Sequence, residues 1–331
     1  MSDPVRWGVL GCARIAEQWV IPGILAAESA ELTAVASRSP EKADATAQQF
    51  SASKAYGSYE ALLADPDVEA IYIPLPNHMH KEWSIKAVQA GKDVLCEKPI
   101  AMNAEEAREM EAAAKAAGRL LLEAFMYRFG PVTQQAIELL REDRIGELRQ
   151  IHTAFSFVMA DNPENIRLQP EAGGGAMYDV GCYCINSARM LAGREPRTAS
   201  ACLVWSDKYN VDMGGAAWLD FGDGLLATIM PGFRSSGGTF FRVVGAKGVL
   251  EAPDGFLGRG DTARLWLTAE NKTEEIVVDL VDTYMLEVED ASRAIRGLQE
   301  PAFGWEPLDA TMRVIDACFA SDRAGGRPVA V

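Results

Sequence analysis

Gly11, Ala13 and Ala16 occupy the three small-residue positions of a dinucleotide fingerprint, behind the apolar run Val5 to Leu10 and at the start of a helical stretch. The chemistry they suit is anion binding, because the first turn of a helix presents unpaired N–H groups and a positive dipole end to a pyrophosphate. Gly11 supplies the tight turn and Gly11-Cys12-Ala13-Arg14-Ile15 the cradle; alanine at the other two positions leaves close backbone approach feasible but less roomy. About twenty residues on, the β-prone run Glu31 to Ala36 ends in Ser37-Arg38-Ser39-Pro40, without the Asp or Glu that bonds a ribose 2′-hydroxyl. Arg38 offers a fork of donors to a 2′-phosphate, Ser39-Pro40 reads as a helix cap facing the same phosphate, and Lys42 adds charge one turn in. The pattern predicts NADP(H) in preference to NAD(H); its plain alternative is a surface arginine beside a helix cap.

Two further clusters carry reactive side chains. In Cys96-Glu97-Lys98-Pro99 the proline restricts Lys98 to an extended conformation and permits a cis bond, so the ammonium is held in a fixed direction. In Gly173-Gly174-Gly175-Ala176-Met177-Tyr178-Asp179, continuing to Tyr183 and Asn186, a helix from about Met177 puts Asp179, Tyr183 and Asn186 on one face. The three glycines permit close approach of the backbone to a ligand or to the cofactor domain. A solvated loop lysine, and a capped helix with a buried tyrosine, are the bland readings.

These residues need a scaffold, and the chain alternates strands and helices to about residue 124. Strands are predicted at 5–10, 31–37, 68–74, 92–96 and 119–123, with helices at 13–28, 40–50, 58–64, 78–90 and 103–117. This is an α/β, doubly wound parallel sheet of the Rossmann type, and Lys98 follows the carboxyl end of a strand, where such sheets place ligands. After residue 125 the helices 131–141 and 178–191 are set among strands at 147–159, 199–207, 215–221, 225–231, 239–244, 249–252, 262–268 and 274–280. The connections are too short for crossover helices, so a large, open, mostly antiparallel sheet is expected, followed by helices at 284–297 and 307–324. The division is therefore 1–124 for NADP binding and 125–331, an α+β domain, for substrate binding and oligomerisation. The uncovered face of its sheet points to a homo-oligomer, a dimer or tetramer.

Composition agrees with a globular chain: 331 residues, 48% hydrophobic and 24% charged. A net charge of −15 argues against nucleic acid or an anionic membrane as partner. No apolar run approaches the roughly 20 residues that span a bilayer, and a first strand at residue 5 leaves no room for a leader. Six scattered cysteines read as reduced thiols, so a cytoplasmic protein is expected.

Gly8-x-x-Gly11, Glu97-Lys98-Pro99, Met126-Tyr127-Arg128-Phe129 and the Gly173 run with Asp179 and Tyr183 resemble the Gfo/Idh/MocA oxidoreductases, over essentially the whole chain and in the right order. The chain is most similar to the branch of NADP-dependent D-xylose 1-dehydrogenases, dimeric dihydrodiol dehydrogenases and glucose–fructose oxidoreductases. The resemblance implies Lys98, Asp179 and Tyr183 as the catalytic set, and contacts to the nicotinamide half of the cofactor from Leu75, Asn77, His80 and Arg128, with Glu97 beside Lys98. Tyrosine at 183, where inositol-type members carry histidine, points to sugars. Tyr183 is then the acid/base on the substrate oxygen, its phenolate favoured by the Lys98 ammonium, and Asp179 orients the sugar or Lys98. Asn165 and Arg167 are expected to contact substrate hydroxyls together with these three. One departure is Gly130, where the branch commonly has histidine, and it puts xylose itself in question.

The expected function is an NADP-dependent aldose or polyol dehydrogenase or reductase. The alternatives are an aldose–aldose or aldose–ketose oxidoreductase that retains NADP, and a non-catalytic NADP-binding regulator. His78 and His80, two apart with no third ligand, make a poor metal site, so no metal is expected; His78 reads as a cap or surface residue and His152 as structural.

Overall fold

The computed structural model describes residues 3–257, 260–304 and 306–331. They form two compact units, Met1–Met126 with Asp282–Asp309, and Tyr127–Val281 with Ala310–Val331.

The first unit is built from β1 (Val5–Leu10), α1 (Ile21–Ala26), β2 (Ala30–Ala36), α2 (Pro40–Phe50), β3 (Lys54–Tyr56), α3 (Tyr59–Leu63), β4 (Ala70–Ile73), α4 (His80–Gln89), β5 (Asp93–Glu97), α5 (Ala104–Ala117) and β6 (Leu121–Ala124). The strands pair in parallel in the order β3-β2-β1-β4-β5-β6. Val5, Trp7, Val9, Ile71 and Ile73 are fully buried, as strands covered on both faces require. Chain order reverses between β1 and β4, so the ends of β1, β2, β4 and β5 border the crevice where doubly wound sheets bind ligands. Ser39, Ser58 and Asn103 cap their helices by accepting an N–H three residues on, which is why α2, α3 and α5 begin where they do.

The helix predicted over 13–28 is interrupted. A π-turn occupies Ala16–Val20, closed by Ile21 N donating to Ala16 O, before α1 begins. Pro22 has no N–H to give, and the extra residue in the turn accommodates that missing donor. β3 was not predicted; three residues give no periodicity to read.

The second unit contains α6 (Pro131–Arg141), β7 (Leu148–Val158), α7 (Cys182–Ala192), β8 (Thr198–Trp205), β9 (Asp212–Gly222), β10 (Leu225–Gly232), β11 (Arg234–Gly245), β12 (Gly248–Pro253), β13 (Thr262–Ala269) and β14 (Lys272–Asp279). The chain then returns to the first unit as α8 (Thr283–Ile295) and ends in the second with α9 (Ala310–Arg323) and β15 (Val329–Ala330). The sheet runs β14-β13-β12-β11-β7-β10-β9-β8-β15; β7 and β10 pair in parallel and the other described pairs are antiparallel. α7 packs on β7 and β10, and α9 on β8. The ladder partners Trp218, Thr228, His152, Arg242, Glu251 and Trp266 form one row across the sheet. Trp218 and Trp266 in this row are exposed, as are Leu226 and Met230 beside it.

Residues 282–309 depart from the expected division, which assigned everything after 125 to the second domain. α8 lies with the first unit because its partners are there. Trp7 Nε1 donates to Ser292 Oγ at 3.0 Å, and Ser29 N and Oγ donate to the Glu289 carboxylate at 2.9 and 2.6 Å. Arg296 forks onto Glu69 at 2.9 and 2.7 Å, and the guanidinium holds the Glu69 carboxyl below the usual range. A Cβ on Gly23 of α1 would come within 2.9 Å of the Tyr284 backbone, so glycine is what lets the two helices approach.

Candidate active site

In the first unit β1 delivers the chain to Gly11, whose φ of +127° suits glycine and whose Cβ would meet Leu75 Cδ2 at 2.9 Å. Helical backbone starts at Arg14, so the N–H groups of this first turn have no acceptor within the helix. The Cys12 side chain is buried, with Sγ 3.8 Å from Ala36 O and 3.9 Å from Lys42 O, and burial raises its thiol pKa. Cys12 thus has only its backbone to offer a ligand. Ala13 and Ile15 are half-buried, and Arg14 is exposed with Nε donating to Gln18 Oε1 at 3.0 Å.

At the end of β2, Ser37 Oγ accepts from Ser39 N at 3.2 Å, and Ser39 Oγ accepts from Lys42 N at 3.3 Å to cap α2. Arg38 and Lys42 are exposed. Arg38 hydrogen-bonds the Tyr59 phenol, whose pKa burial raises while the guanidinium opposes the rise. Glu41 also stands in this first turn and accepts from Ser39 Oγ at 2.7 Å, a carboxylate that the sequence reading did not weigh.

β5 ends at Glu97, and the Lys98–Pro99 bond is cis. Tyr72 of β4 donates to Glu97 Oε1 at 2.6 Å, and Lys98 N donates to Glu97 Oε2 at 3.3 Å, so one carboxylate ties the neighbouring strand to the lysine's backbone. Leu75 is buried and Asn77 half-buried at the start of the following turn. His80, expected against the cofactor, is 0% exposed. Its Nδ1 lies 2.9 Å from Pro99 O and its Nε2 2.7 Å from Leu75 O, so both ring nitrogens face the protein's own carbonyls. Burial, with Lys98 adding its charge, pulls the imidazole pKa down to about 4. The neutral ring has one N–H and donates to one of these two carbonyls; packed between the loop after β4 and the segment after Lys98, His80 has no exposed surface for a ligand.

In the second unit, Asp179 lies in a π-turn (Met177–Gly181) that runs into α7, and Tyr183 is in the first turn of α7. Arg167 Nε donates to Asp179 Oδ2 at 2.6 Å. Tyr183 is 8% exposed and packed against Phe155, Tyr127 and Phe256, with ring centroids 5.4, 5.6 and 6.0 Å away. Asn165 Oδ1 accepts from Arg167 N at 3.1 Å, which shapes the short helix that carries Arg167. Asn186 turns inward: its Oδ1 accepts from Tyr127 OH at 2.5 Å and Arg128 Nε at 2.9 Å, and its Nδ2 donates to Thr311 Oγ1 at 3.2 Å. Arg128, expected at the nicotinamide, is 6% exposed and tied to Asn186.

The glycine run serves local packing. A Cβ on Gly174 would lie 2.7 Å from Arg167 O, and one on Gly175, whose φ is +115°, 2.2 Å from Asp212 Oδ1. Asp212 and Tyr72 are the site-bracing residues that the sequence reading missed. Neither has a local signal: each is a strand residue whose partner is distant in sequence, Met177 for Asp212 and Glu97 for Tyr72. Among the described residues no cluster of three His, Cys, Asp or Glu is arranged to hold a metal, and no helix is long and apolar enough to cross a membrane.

Residues 5–125 match the oxidoreductase family with an NAD-binding Rossmann fold, Gfo/Idh/MocA, and residues 133–251 match a Gfo/Idh/MocA C-terminal domain. The chain is 36% identical to D-xylose 1-dehydrogenase (NADP(+)) 2 of Haloferax volcanii, over 97% of this chain and 98% of that protein. Its fold superposes on the 3-ketoreductase KijD10 of Actinomadura kijaniata, solved with NADP and TDP-benzene, with a TM-score of 0.91 at 30% identity, covering 96% and 98% of the two chains. It is also similar to the aldose–aldose oxidoreductase of Caulobacter crescentus, solved with glycerol, with a TM-score of 0.92 at 27% identity, covering 99% and 100% of the two chains.

Proposed function

The chain belongs to the Gfo/Idh/MocA oxidoreductase family, and on that premise we propose that it is an NADP-dependent oxidoreductase acting on CH–OH groups of a sugar or polyol. The observation that carries the chemistry is Tyr183, a phenol walled by three aromatic rings, one helical turn beyond a carboxylate pinned by Arg167. The cofactor fits the residues present. Gly11 takes the positive φ that the tight turn after β1 requires and lets that turn pack against Leu75, the first helix turn supplies N–H donors, and Arg38 stands exposed where an NAD-specific chain has a carboxylate.

The nicotinamide ring supplies the hydride acceptor or donor when bound. Tyr183 removes the hydroxyl proton of the alcohol as the carbinol carbon is oxidised, and returns it to the forming alkoxide in reduction. The Lys98 ammonium favours the phenolate and bonds the substrate oxygen; the Glu97 carboxylate fixes its backbone. Asp179, Arg167 and Asn165 orient the remaining hydroxyls. Leu75 and Asn77 are the first-unit residues that keep the assignment to the nicotinamide half, with Glu97 beside Lys98.

The test is kcat for Tyr183→Phe and Lys98→Ala, each expected to drop by about 10² or more with NADPH affinity retained. Near-parental turnover in either variant overturns the assignment. The likeness to an aldose–aldose oxidoreductase favours a second reading, in which NADP is kept through successive turnovers. Protein purified without added nucleotide would then absorb near 260 nm; a bare protein spectrum excludes it. We assign the exposed sheet face with Trp218, Leu226, Met230 and Trp266 to contact with a second copy of this chain.

A further inference from the structure

We propose that Asp212 is a positioning residue for the segment that carries Asp179 and Tyr183, and that its ionised form holds that segment in the working arrangement. The inference rests on the reading of Asp179 and Tyr183 as catalytic residues.

Asp212 opens β9, is 1% exposed, and pairs with Trp205 of β8 in the sheet ladder. From that fixed base its Oδ2 accepts from Met177 N at 2.8 Å, and Ala176 N bonds the same carboxylate. These N–H groups open the run from the π-turn into α7 and have no acceptor within it. Oδ1 fills the space beside Gly175, which leaves no room for any side chain there. One carboxylate thus satisfies the exposed donors, meets the positive end of the helical run, and fixes the glycine turn that precedes it. The consequence reaches the chemistry directly, because Asp179 N donates to Gly175 O at 3.1 Å and Tyr183 follows one turn later.

Protonation would remove the charge from the carboxyl and leave one oxygen, in place of two anionic ones, to accept from the N–H groups, and so loosen the same turn. Burial raises the Asp212 pKa to about 7; its amide partners oppose the rise, and Asp322 of α9, the charged group facing it from another element, adds to it. The carboxylate therefore changes state within the ordinary working range, and the segment it holds should tighten as pH rises through about 7.

The full-length protein, saturated with NADP+, is assayed between about pH 5.5 and 8.5 with the aldose it oxidises fastest in a panel of pentoses and hexoses. Alongside, hydrogen exchange is followed in the peptide covering residues 174–184, corrected for intrinsic rates. The parent should gain protection in that peptide as pH rises through about 7, with kcat rising in the same range. Asp212→Asn, which keeps an acceptor but not the charge, should lose this pH response in both readouts, with a plateau kcat about tenfold lower and an unchanged Kd for NADPH. Asp212→Ala should fall further. Parental exchange and a parental pH profile in Asp212→Asn overturn the proposal. If no aldose is oxidised by the parent, the catalytic reading fails, and the exchange experiment still decides whether Asp212 holds the turn.

Discussion

Arg167 Nε reaches Asp179 Oδ2 across 2.6 Å, while the backbone carbonyl of Arg167 accepts from Gly175 N at 2.9 Å. One residue therefore holds both the carboxylate and the glycine turn ahead of it. Arg167→Met removes the ion pair and keeps the backbone contact. We expect kcat/KM for the sugar to fall by about 10-fold or more, the scale of a lost charge-assisted hydrogen bond, with Kd for NADPH unchanged. The Arg167 side chain is 42% exposed, so thermal stability should shift little. Parental sugar kinetics would show that Asp179 does not need its partner.

Arg38 stands exposed at the end of β2 beside the Tyr59 phenol. Arg38→Ala should raise KM for NADP+ by about tenfold or more, as expected for a lost guanidinium–phosphate contact, and leave KM for NAD+ nearly unchanged. Equal losses with both cofactors would move Arg38 away from a 2′-phosphate.

His80 gives the fold a pH-dependent component with a definite sign. Its pKa drops from an ordinary 6.5 to about 4 on burial, so the unfolded chain binds the proton more readily. The stabilisation from burying the neutral ring is complete above about 6.5 and is lost as pH falls towards 4. Between those limits it amounts to about 3 kcal/mol. Urea titrations across this window should show a shallower pH slope for His80→Phe than for the parent, and identical slopes would remove His80 as the source.

Trp218 lies on the bare sheet face in the same ladder row as Trp266. If that face meets a second copy, Trp218→Lys should lower the mass seen by light scattering at micromolar concentration. A parent that is already monomeric there refutes the self-association.

Periodicity carried most of the fold into view. The buried run Ala70–Ile73 and the alternation of buried and exposed residues from Leu225 to Met230 predict strands of the right kind in the right place. What escaped was set by contacts rather than by pattern. β15 is two residues long and exists because it pairs with β8. The placement of α8 depends on Ser292 meeting Trp7 and Arg296 meeting Glu69, and no local signal announces either. Of the proposed site, the residue types of Lys98, Asp179 and Tyr183 and their places after β5 and at the start of α7 are legible in the sequence. The inward turn of His80, Arg128 and Asn186 is not, because a polar side chain near a site looks the same in sequence whether its partner is a ligand or a backbone carbonyl. The same blindness hid Asp212.

The homing of α8 makes the nucleotide-binding half a discontinuous piece of the gene. A fragment cut after residue 126 would strip the Trp7 indole of its acceptor and the Glu69 carboxylate of its fork to Arg296, leaving it only Arg6, and would lay bare the flank of α1 that Gly23 keeps narrow. Anyone transplanting that half to another scaffold has to carry two separate stretches of code, 1–126 and 282–309, or design a substitute for the second.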